Sequence, residues 1–367
     1  MNILFISKAS LKSGFGTESA IFKYTMNLKE HNTITIITTD QGKKNSNYPE
    51  LLIQNGINIK ELRRKSFFYS LKDLYILIKL IKRNNPIYIW EPPTFLNPII
   101  ALSVKIFSKS GIRGRHNPIS YDYNQDGSKL SHPLLVRAYE RLNLFFDRLY
   151  TAQHVQNSNH LNYLRSVGMR NVELIPDCTS LEPYKQGSKF DKFSILFLGR
   201  LNYHKGADRI PEIINGFFSH IPDGNVHIVG NGIYEKLIKS VYGTDPRVYF
   251  HGFSNEEEKN NILAKTHVLV APTRVEAFMI SGIEALRSGT PVISFAVPGP
   301  TDYIQNGMNG FICENEVDCV NSIFKLYNLW KNGSYPLTSN KCIESSYPYD
   351  CEKVIYEFGE MLKRYAH

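Results

Sequence analysis

The chain has 367 residues, 42% of them hydrophobic, and a formal net charge of +9. This length and composition allow a large buried core and favour two domains over one. No apolar run reaches the ~18 residues of a membrane span, so the composition favours a soluble enzyme and excludes an integral membrane protein.

The N-terminal stretch MNILFISKAS lacks the charged lead and cleavage site of a signal peptide. The five cysteines are an odd number without paired ligand spacing, which fits a reducing compartment and no structural zinc. Both features predict a cytoplasmic protein. The positive charge favours acidic partners such as phosphates, nucleotides or anionic lipid. Nucleic acid is the weaker interpretation, because no zinc-finger spacing, basic heptad region or RNA-binding sheet signature occurs.

Short apolar runs alternate with amphipathic segments along the chain, which predicts a βαβ rhythm. The predicted strands of the first half are NILFIS, TITIITT, INIKEL, PIYIW, RLYTA and VELIP. After a turn-rich stretch at 177–191, the rhythm restarts with FSILFLG, NVHIVG, RVYFHG, HVLVAP and PVISF. We therefore expect parallel-sheet domains at 1–180 and 192–345 with a ligand cleft between them. Residues 346–367 are expected to form a helix that packs back across the domains.

Residues 66–86 combine aromatic, aliphatic and lysine side chains at helical spacing. This helix is expected to pack on the first sheet, because a βαβ unit needs a helix at that place. The alternative is peripheral contact with the inner face of a membrane that carries a lipid-linked acceptor.

Two cations follow a predicted strand in FLGRLNYHKGADRI. Arg200 and Lys205 lie just past the strand, and Gly206 opens what is predicted to be a helix. Such cations suit a diphosphate, because they neutralise its oxygens while free backbone N–H groups add donors. A solvated basic loop explains this stretch equally well when it is taken alone.

Glycines follow several predicted strands. Gly230 and Gly232 in VGNGIYEK would let the backbone approach a flat ligand, although many such turns have glycine without a ligand. SGFGTES imitates a dinucleotide fingerprint, but Gly14 lies seven residues past Ser7, too far along the chain for that motif. A loop over the cleft, near phosphate or acceptor and including Gly16, fits better.

Two glutamates frame the stretch EAFMISGIE, Glu276 and Glu284. Eight positions turn a helix by about 800°, so the two side chains cannot share one helix face. If both serve one site, Glu276 lies in the loop before the helix and Glu284 inside it. The alternative is that the helix dipole favours acids near a helix start, by ~0.3–1 kcal/mol, and that Glu284 is a surface residue.

An ordered set of motifs extends over residues 197–312. The set consists of FLGRLNYHKG, IVGNG, VYFHGFSNEEEKNNILAKTHVLVAPTRVEAF, GIEALRSGTPVIS and GPTDYIQNGMNGFI. It resembles the nucleotide-sugar domain of family-4 retaining glycosyltransferases with the E-x7-E motif. ILFISKASLKSGFGTES and NSNHLNYLRSVGMRNVELIPD are similar to the first domain of that family more loosely. The resemblance implies an α/β protein of the GT-B fold, in which two Rossmann-like parallel-sheet domains face a central cleft.

The resemblance also implies roles for single residues. Arg200 and Lys205 occupy the positions that hold the donor diphosphate, and Glu284 the position that accepts bonds from the ribose hydroxyls. Glu276 would contact the donor sugar. The backbone amides of Phe278, Met279 and Ile280 match those at the helix start that approach phosphate and hexose. Apart from the resemblance, Gly14, Gly16, Gly230 and Gly252 are expected to take part in donor binding.

The sequence departs from the family pattern at three places. Ala277 and Met279 stand where glycines are common, and Met279 is expected to crowd the sugar pocket or change its specificity. PGPTD replaces a pair of glycines followed by a glutamate, which stiffens this loop. His116, beside an unusually polar strand in GIRGRHNPISY, is the counterpart of the acceptor-side histidine. It is expected to face the cleft, and the alternative is a surface histidine.

The implied activity is transfer of a sugar from a nucleotide-sugar to a hydroxyl of a glycan or lipid-linked acceptor, with retention. Arg200 and Lys205 would stabilise the leaving diphosphate, while Glu276 orients the sugar and His116 serves the acceptor side. Neither a metal nor another cofactor is expected, because no Asp-x-Asp motif is present. The alternatives are a catalytically silent partner protein of the same fold, motivated by Met279, and an NAD-linked oxidoreductase, which the glycine spacing disfavours.

Overall fold

The computed structural model describes residues 1–13, 16–39, 46–65, 68–92, 95–116, 126–129, 132–179 and 188–366. The chain forms two compact units. The first consists of Met1–Asn117, His132–Cys178 and Glu352–His367, and the second of Pro118–Ser131 and Thr179–Cys351.

The first unit is built on a parallel sheet with helices in the connections. Its strands are β1 (Asn2–Ser7), β2 (Thr33–Thr39), β3 (Asn58–Leu62), the short pair β4 (Arg64–Lys65) and β5 (Phe68–Tyr69), β6 (Ile87–Glu91), β7 (Gly111–Arg115), β8 (Ala152–Val155) and β9 (Val172–Leu174). Its helices are α1 (Gly16–Leu28), α2 (Tyr48–Gln54), α3 (Leu71–Arg83), α4 (Asn97–Ile106), α5 (Pro133–Asp147) and α6 (Ser158–Ser166). The seven-stranded sheet has the order β3-β2-β1-β6-β7-β8-β9. β1, β2 and β6 are buried on both faces, and β1 and β6 are accordingly almost continuous apolar runs, whereas β2 combines isoleucine with buried threonine.

The second unit repeats this design with six strands. They are β10 (Ser194–Leu198), β11 (Asn225–Val229), β12 (Val248–Gly252), β13 (Val268–Ala271), β14 (Val292–Phe295) and β15 (Gly310–Cys313). The helices are α7 (Ile210–His220), α8 (Glu235–Tyr242), α9 (Glu256–Lys265), α10 (Ile280–Arg287), α11 (Pro300–Tyr303), α12 (Glu316–Lys331) and α13 (Tyr335–Ser346). The parallel order β12-β11-β10-β13-β14-β15 reverses direction at β10 and β13. Ligands bind outside the carboxyl ends of strands at such a reversal, so a ligand site is expected at this edge.

The last helix, α14 (Cys351–Tyr365), packs on the sheet of the first unit. Its buried Phe358 contacts the rings of Tyr24 and Tyr88 with centroids 4.8 and 4.9 Å apart. The C-terminal residues therefore supply part of the core of the first unit.

The units do not follow the predicted continuous ranges. Asp126 and Gly127 lie within 1–180 in the sequence, but they pack in the second unit. Tyr234 Oη donates to the carbonyl of Asp126 at 3.1 Å, and a Cβ at Gly127 would lie 2.9 Å from the ring of Tyr203. The absence of a side chain at Gly127 thus allows this residue to pack against two tyrosines of the second unit, although its position in the sequence lies within the predicted first domain.

One local prediction needs correction, and the polar strand before His116 needs an explanation. RLYTA is not a strand, because α5 continues to Asp147 and β8 begins only at Ala152. The polar strand β7 can lie inside the sheet because its arginines are paired with a buried carboxylate. Arg115 Nη2 binds Asp147 Oδ2, and Arg113 Nε lies 3.7 Å from Asp147 Oδ1.

The cysteines differ from the expectation of a reducing compartment. Cys313, Cys319 and Cys342 are free and buried, whereas Cys178 and Cys351 are disulfide-bonded. An odd count leaves an unpaired thiol but does not exclude a disulfide, so the count was a weak criterion. Across the described ranges, the helices are all too short or too polar to cross a membrane.

Candidate functional site

The candidate site of the second unit lies at the carboxyl ends of β10 and β13. The loops that follow these two strands are in direct contact, because the amide N of Arg274 donates to the carbonyl of His204 at 2.8 Å. A Cβ at Gly206 would lie 1.8 Å from the carbonyl oxygen of Pro272, and Gly206 has a φ of 69°. Only glycine permits this approach, which fixes the position of the cationic loop over the acidic one.

Lys205, predicted to hold the donor diphosphate, and Glu276, predicted to contact the donor sugar, form an ion pair. Lys205 Nζ donates to Glu276 Oε1, and Glu276 is buried. The amide N of Lys205 donates to Asn202 Oδ1 at 3.0 Å, which sets the course of the loop. Thr273 Oγ1 lies 3.4 Å from the same carboxylate oxygen. A phosphate that enters this loop must therefore share Lys205 with Glu276 or displace the carboxylate.

Glu284 lies inside α10 and Glu276 in the loop before it, as the helical spacing predicted. The Glu284 side chain is only 6% exposed, so the alternative of a surface residue is wrong. Its Oε1 accepts from Lys259 Nζ at 2.9 Å, and Lys259 also donates to Glu256 Oε2 at 2.9 Å. Burial opposes the charge of Lys259, but the carboxylates of Glu284 and Glu256 outweigh it and raise the pKa of Lys259. The site thus contains a second, buried ion pair.

Sequence reasoning missed Lys259, although a signal was present. Lys259 lies three and four positions before Ile262 and Leu263, which are buried on the inner face of α9. An ionisable residue on such a face requires an opposite charge nearby.

The start of α10 presents backbone donors. In the part of the chain that the structure describes, the amides of Phe278, Met279 and Ile280 donate to no protein acceptor. Met279 has a φ of 64°, a left-handed conformation that favours glycine. Its side chain is buried with those of Phe278 and Tyr303 in the core of the unit. This packing gives no support to the expectation that Met279 crowds a sugar pocket.

Two arginines belong to the same loops. Arg200 is exposed and follows β10 directly. Arg274, which the sequence did not single out, donates to both carboxylate oxygens of Asp208 at 2.6 and 2.7 Å. Its guanidinium lies 3.9 Å from the ring centroid of Tyr203, and Nη1 donates to the Tyr203 carbonyl at 2.9 Å. Arg274 therefore ties the loop after β13 to the loop after β10. No local pattern reveals this, because Asp208 lies 66 positions away in the sequence.

The predicted ligand glycines have contacts of their own. A Cβ at Gly230 would lie 1.9 Å from the carbonyl oxygen of Gly199, and the Gly230 amide donates to the Gly252 carbonyl at 2.7 Å. Gly230 and Gly252 have φ values of 125° and 65°. These glycines are required for three loops to pack on one another, with or without a ligand. Across the described ranges, no cluster of three His, Cys, Asp or Glu side chains is arranged to hold a metal ion.

His116 follows β7 in the first unit and is only 7% exposed, so the alternative of a surface histidine is wrong. Its ring stacks on Trp90 with centroids 4.0 Å apart, and its Nε2 lies 2.6 Å from Tyr88 Oη. The same hydroxyl contacts His154 Nδ1, and His154 Nε2 lies 2.8 Å from the carbonyl of Ile175. Gly16 opens α1 in this unit, whereas Gly14 lies outside the described residues.

These contacts determine the protonation of both histidines. A carbonyl only accepts, so His154 carries its proton on Nε2 and accepts from the Tyr88 hydroxyl at Nδ1. Tyr88 in turn accepts from His116 Nε2–H. Burial lowers the pKa of His154 to about 4, and burial, with His154 and Arg113 nearby, lowers the pKa of His116 well below its usual range. Both rings are neutral near pH 7, and His116 Nδ1 is a hydrogen-bond acceptor.

Curated proteins match the chain over part of its length. Residues 181–340 match the family model of glycosyl transferases group 1. The chain is 26% identical over 196 residues to an uncharacterized glycosyltransferase of Haemophilus influenzae, covering 52% of this chain and 55% of that protein. It is 25% identical over 138 residues to the sulfoquinovosyl transferase SQD2 of Arabidopsis thaliana, covering 36% of this chain and 26% of that protein. The chain thus spans about half the length, or less, of these relatives.

Solved structures resemble the chain over its whole length. HepE of Anabaena in complex with UDP has a TM-score of 0.77 at 16% identity and covers 99% of this chain and 100% of that chain. The pneumococcal O-GlcNAc transferase GtfA in complex with UDP and GlcNAc has a TM-score of 0.77 at 12% identity, and the match covers 100% of this chain and 99% of that chain. The predicted α/β architecture with two Rossmann-like parallel sheets is confirmed. Residues 181–340 therefore match the group 1 glycosyltransferase family, and the chain as a whole has the GT-B fold.

Proposed function

We propose that this chain is a retaining glycosyltransferase that moves a sugar from a nucleotide-sugar to an acceptor hydroxyl. The observation that supports this best is the meeting of Lys205 with Glu276, and the burial of Glu284, at the strand-order reversal of the second sheet. UDP is the first nucleotide to consider, because the HepE and GtfA structures both contain it. The acceptor is a glycan or a lipid-linked sugar, as in polysaccharide, glycolipid or other glycoconjugate synthesis.

The ion pair at Lys205 suggests how the donor is bound. Before the donor binds, Glu276 neutralises the ammonium group. When the donor enters, its diphosphate takes over Lys205, with Arg200 as the second cation, and the released Glu276 carboxylate accepts from hydroxyls of the sugar. The amides of Phe278 and Met279 at the start of α10 add donors for phosphate or sugar. Lys205 therefore has an anionic partner before and after binding.

The same cations serve the chemical step. Negative charge grows on the diphosphate as the glycosidic bond breaks, and fixed positive groups stabilise that charge more than they stabilise the intact donor. Arg200 and Lys205 can do this without a divalent cation, so we propose that the reaction needs no metal and no other cofactor.

His116 is proposed to act on the acceptor side. Its neutral ring is fixed by Tyr88 and His154, and its Nδ1 is buried in this structure, so it can accept from an acceptor hydroxyl only if the acceptor displaces the groups that cover it. A histidine in this form binds a hydroxyl without adding positive charge beside a developing cationic sugar.

Attachment to an anionic membrane is proposed for one end of α3. Leu77 and Ile81 are buried against the first sheet, as predicted for a helix of a βαβ unit. Leu71 and Tyr75 are nonetheless exposed, and Lys79 Nζ lies 5.7 Å from the Tyr75 ring centroid. Exposed apolar groups beside lysines fit the interface of an anionic bilayer.

A binding and turnover panel tests the proposed function. Calorimetry with UDP and other nucleoside diphosphates should show one preferred nucleotide, and sugar nucleotides of that base should be hydrolysed slowly without acceptor. Binding without any turnover, even with glycan and lipid-linked acceptors, would support the alternative of a catalytically silent partner. An absence of nucleotide binding would contradict the proposal, and tight binding of NAD would favour the oxidoreductase.

A further inference from the structure

We propose that Lys259 is a positioning residue of the ribose site, which holds Glu284 in one orientation and so makes nucleotide binding depend on the ribose hydroxyls. This inference rests on the proposed function, because it takes Glu284 to be the ribose ligand. None of the residue roles that the family resemblance implies belongs to Lys259.

Two helices bring the pair together. Lys259 lies on α9 and Glu284 on α10, and their side chains are 15% and 6% exposed. The start of α9 is fixed by a capping box, in which Asn255 Oδ1 accepts from the amide of Glu258 at 2.9 Å and Glu258 Oε2 accepts from the amide of Asn255 at 3.1 Å. Lys259 therefore projects from a helix turn whose position is fixed by its own cap.

Lys259 is held from two sides. Its Nζ donates to Glu256 Oε2 on its own helix and to Glu284 Oε1 on the next, both at 2.9 Å. Glu256 is mostly exposed, whereas Glu284 is buried. The exposed acid anchors the ammonium group, and the ammonium group in turn anchors the buried acid.

This arrangement decides what Glu284 can offer a ligand. A buried carboxylate without a cation is disfavoured in its charged form. Lys259 supplies that cation, and it contacts one oxygen, Oε1. Within the described parts of the chain, no hydrogen bond to Glu284 Oε2 is formed by another side chain. A charged carboxylate that is held at Oε1 still has the lone pairs of Oε2 to accept from adjacent hydroxyls, and a charged acceptor binds more strongly than a neutral one.

A purely structural ion pair between α9 and α10 predicts a different outcome. Loss of such a pair would lower the stability of the protein and weaken the binding of all nucleotides to the same extent. A positioning role changes the preference for a nucleotide with ribose hydroxyls over one without them.

The experiment compares UDP with 2′,3′-dideoxy-UDP by calorimetry in the full chain. The wild type should prefer UDP by about tenfold or more. Glu284→Gln and Lys259→Met should each reduce that preference to within about threefold, mainly by weakening the binding of UDP. Lys259→Arg should retain part of the preference. Lys239→Met is the matched control, because Lys239 forms an ordinary exposed pair with Glu235 on α8. It should leave the preference unchanged.

The outcomes separate this inference from the proposed function. If Glu284→Gln lowers the preference but Lys259→Met does not, the positioning role is wrong and the ribose assignment stands. If Glu284→Gln has no effect on the preference, the ribose assignment itself fails, and if the wild type binds no nucleoside diphosphate at all, the proposed function fails. If Lys259→Met does not fold, the double variant Lys259→Met/Glu284→Gln, which leaves no buried charge unpaired, is compared with Glu284→Gln alone. Equal UDP affinity of these two supports action through Glu284, and a further loss in the double variant overturns it.

Discussion

Replacing the two glutamates separately gives the sharpest test of the candidate site. Glu284→Gln keeps the shape of the side chain and removes its charge. Hydrogen bonds to a charged group are worth about 1.5–3 kcal/mol, so UDP affinity should fall by about 10- to 150-fold. Glu276→Gln should not lower UDP affinity. It removes the carboxylate that competes for Lys205, so UDP affinity should stay the same or rise by up to about fivefold, the range of a partly exposed ion pair.

Turnover separates the same two variants. Glu276 is proposed to contact the sugar near the transition state, so Glu276→Gln should depress kcat with the full UDP-sugar. The assay combines calorimetric titration with UDP and turnover numbers, and Glu235→Gln on α8 is a control with a partly exposed acid. Equal loss of UDP affinity in the two variants, or no loss of function in either, would refute this assignment of the pair.

Stability needs its own measurement in this comparison. Removing one partner of a buried ion pair costs about 3–5 kcal/mol when the other partner is left alone. Lys259 retains Glu256 after Glu284→Gln, so a cost below this range is expected. A Tm measured for each variant shows whether the titrations were made on folded protein.

Three further results are expected. Activity should persist in excess EDTA, because Arg200 and Lys205 neutralise the diphosphate; loss with rescue by manganese would contradict this. Burial lowers the pKa of Lys189 from 10.5 to about 7, so the unfolded chain binds more protons above pH 7. Between pH 7 and 9 the wild type should therefore gain stability relative to Lys189→Met, by up to about 1.4 kcal/mol per pH unit, and parallel unfolding curves would argue against it. Leu71→Ser/Tyr75→Ser should reduce flotation with phosphatidylglycerol vesicles, and unchanged flotation would remove α3 from the membrane proposal.

Most of the fold was predictable because buried strands can be recognised from their own sequences. Buried parallel strands have apolar sequences, and β1, β6 and β10 were predicted in this way. β7 is different, because the charged side chains of Arg113 and Arg115 can lie beside the core only where Asp147 on α5 supplies the opposite charge. Such compensation depends on tertiary contacts that no local pattern contains.

The sequence predicted both glutamates of the candidate site, but it did not predict which lysine each of them pairs with. Helical periodicity placed Glu276 before α10 and Glu284 inside it. The partners of these acids lie 71 and 25 positions away, and the resemblance gave no reason to pair them with Lys205 and Lys259. The family pattern marks positions that contact ligand, whereas the protein without its ligand must satisfy the same charges by itself.

The ion pair between Lys205 and Glu276 has a consequence for small anions. Glu276 acts as a tethered counter-ion, whose local concentration at Lys205 far exceeds that of phosphate or sulfate in solution. Inorganic phosphate can displace it but provides no hydroxyl groups for the freed carboxylate. Under the proposed function, a nucleotide-sugar provides a hexose for Glu276 and a ribose for Glu284, so it compensates for the broken ion pair more fully than UDP does, and UDP more fully than inorganic phosphate. We therefore expect the loop to discriminate against small anions.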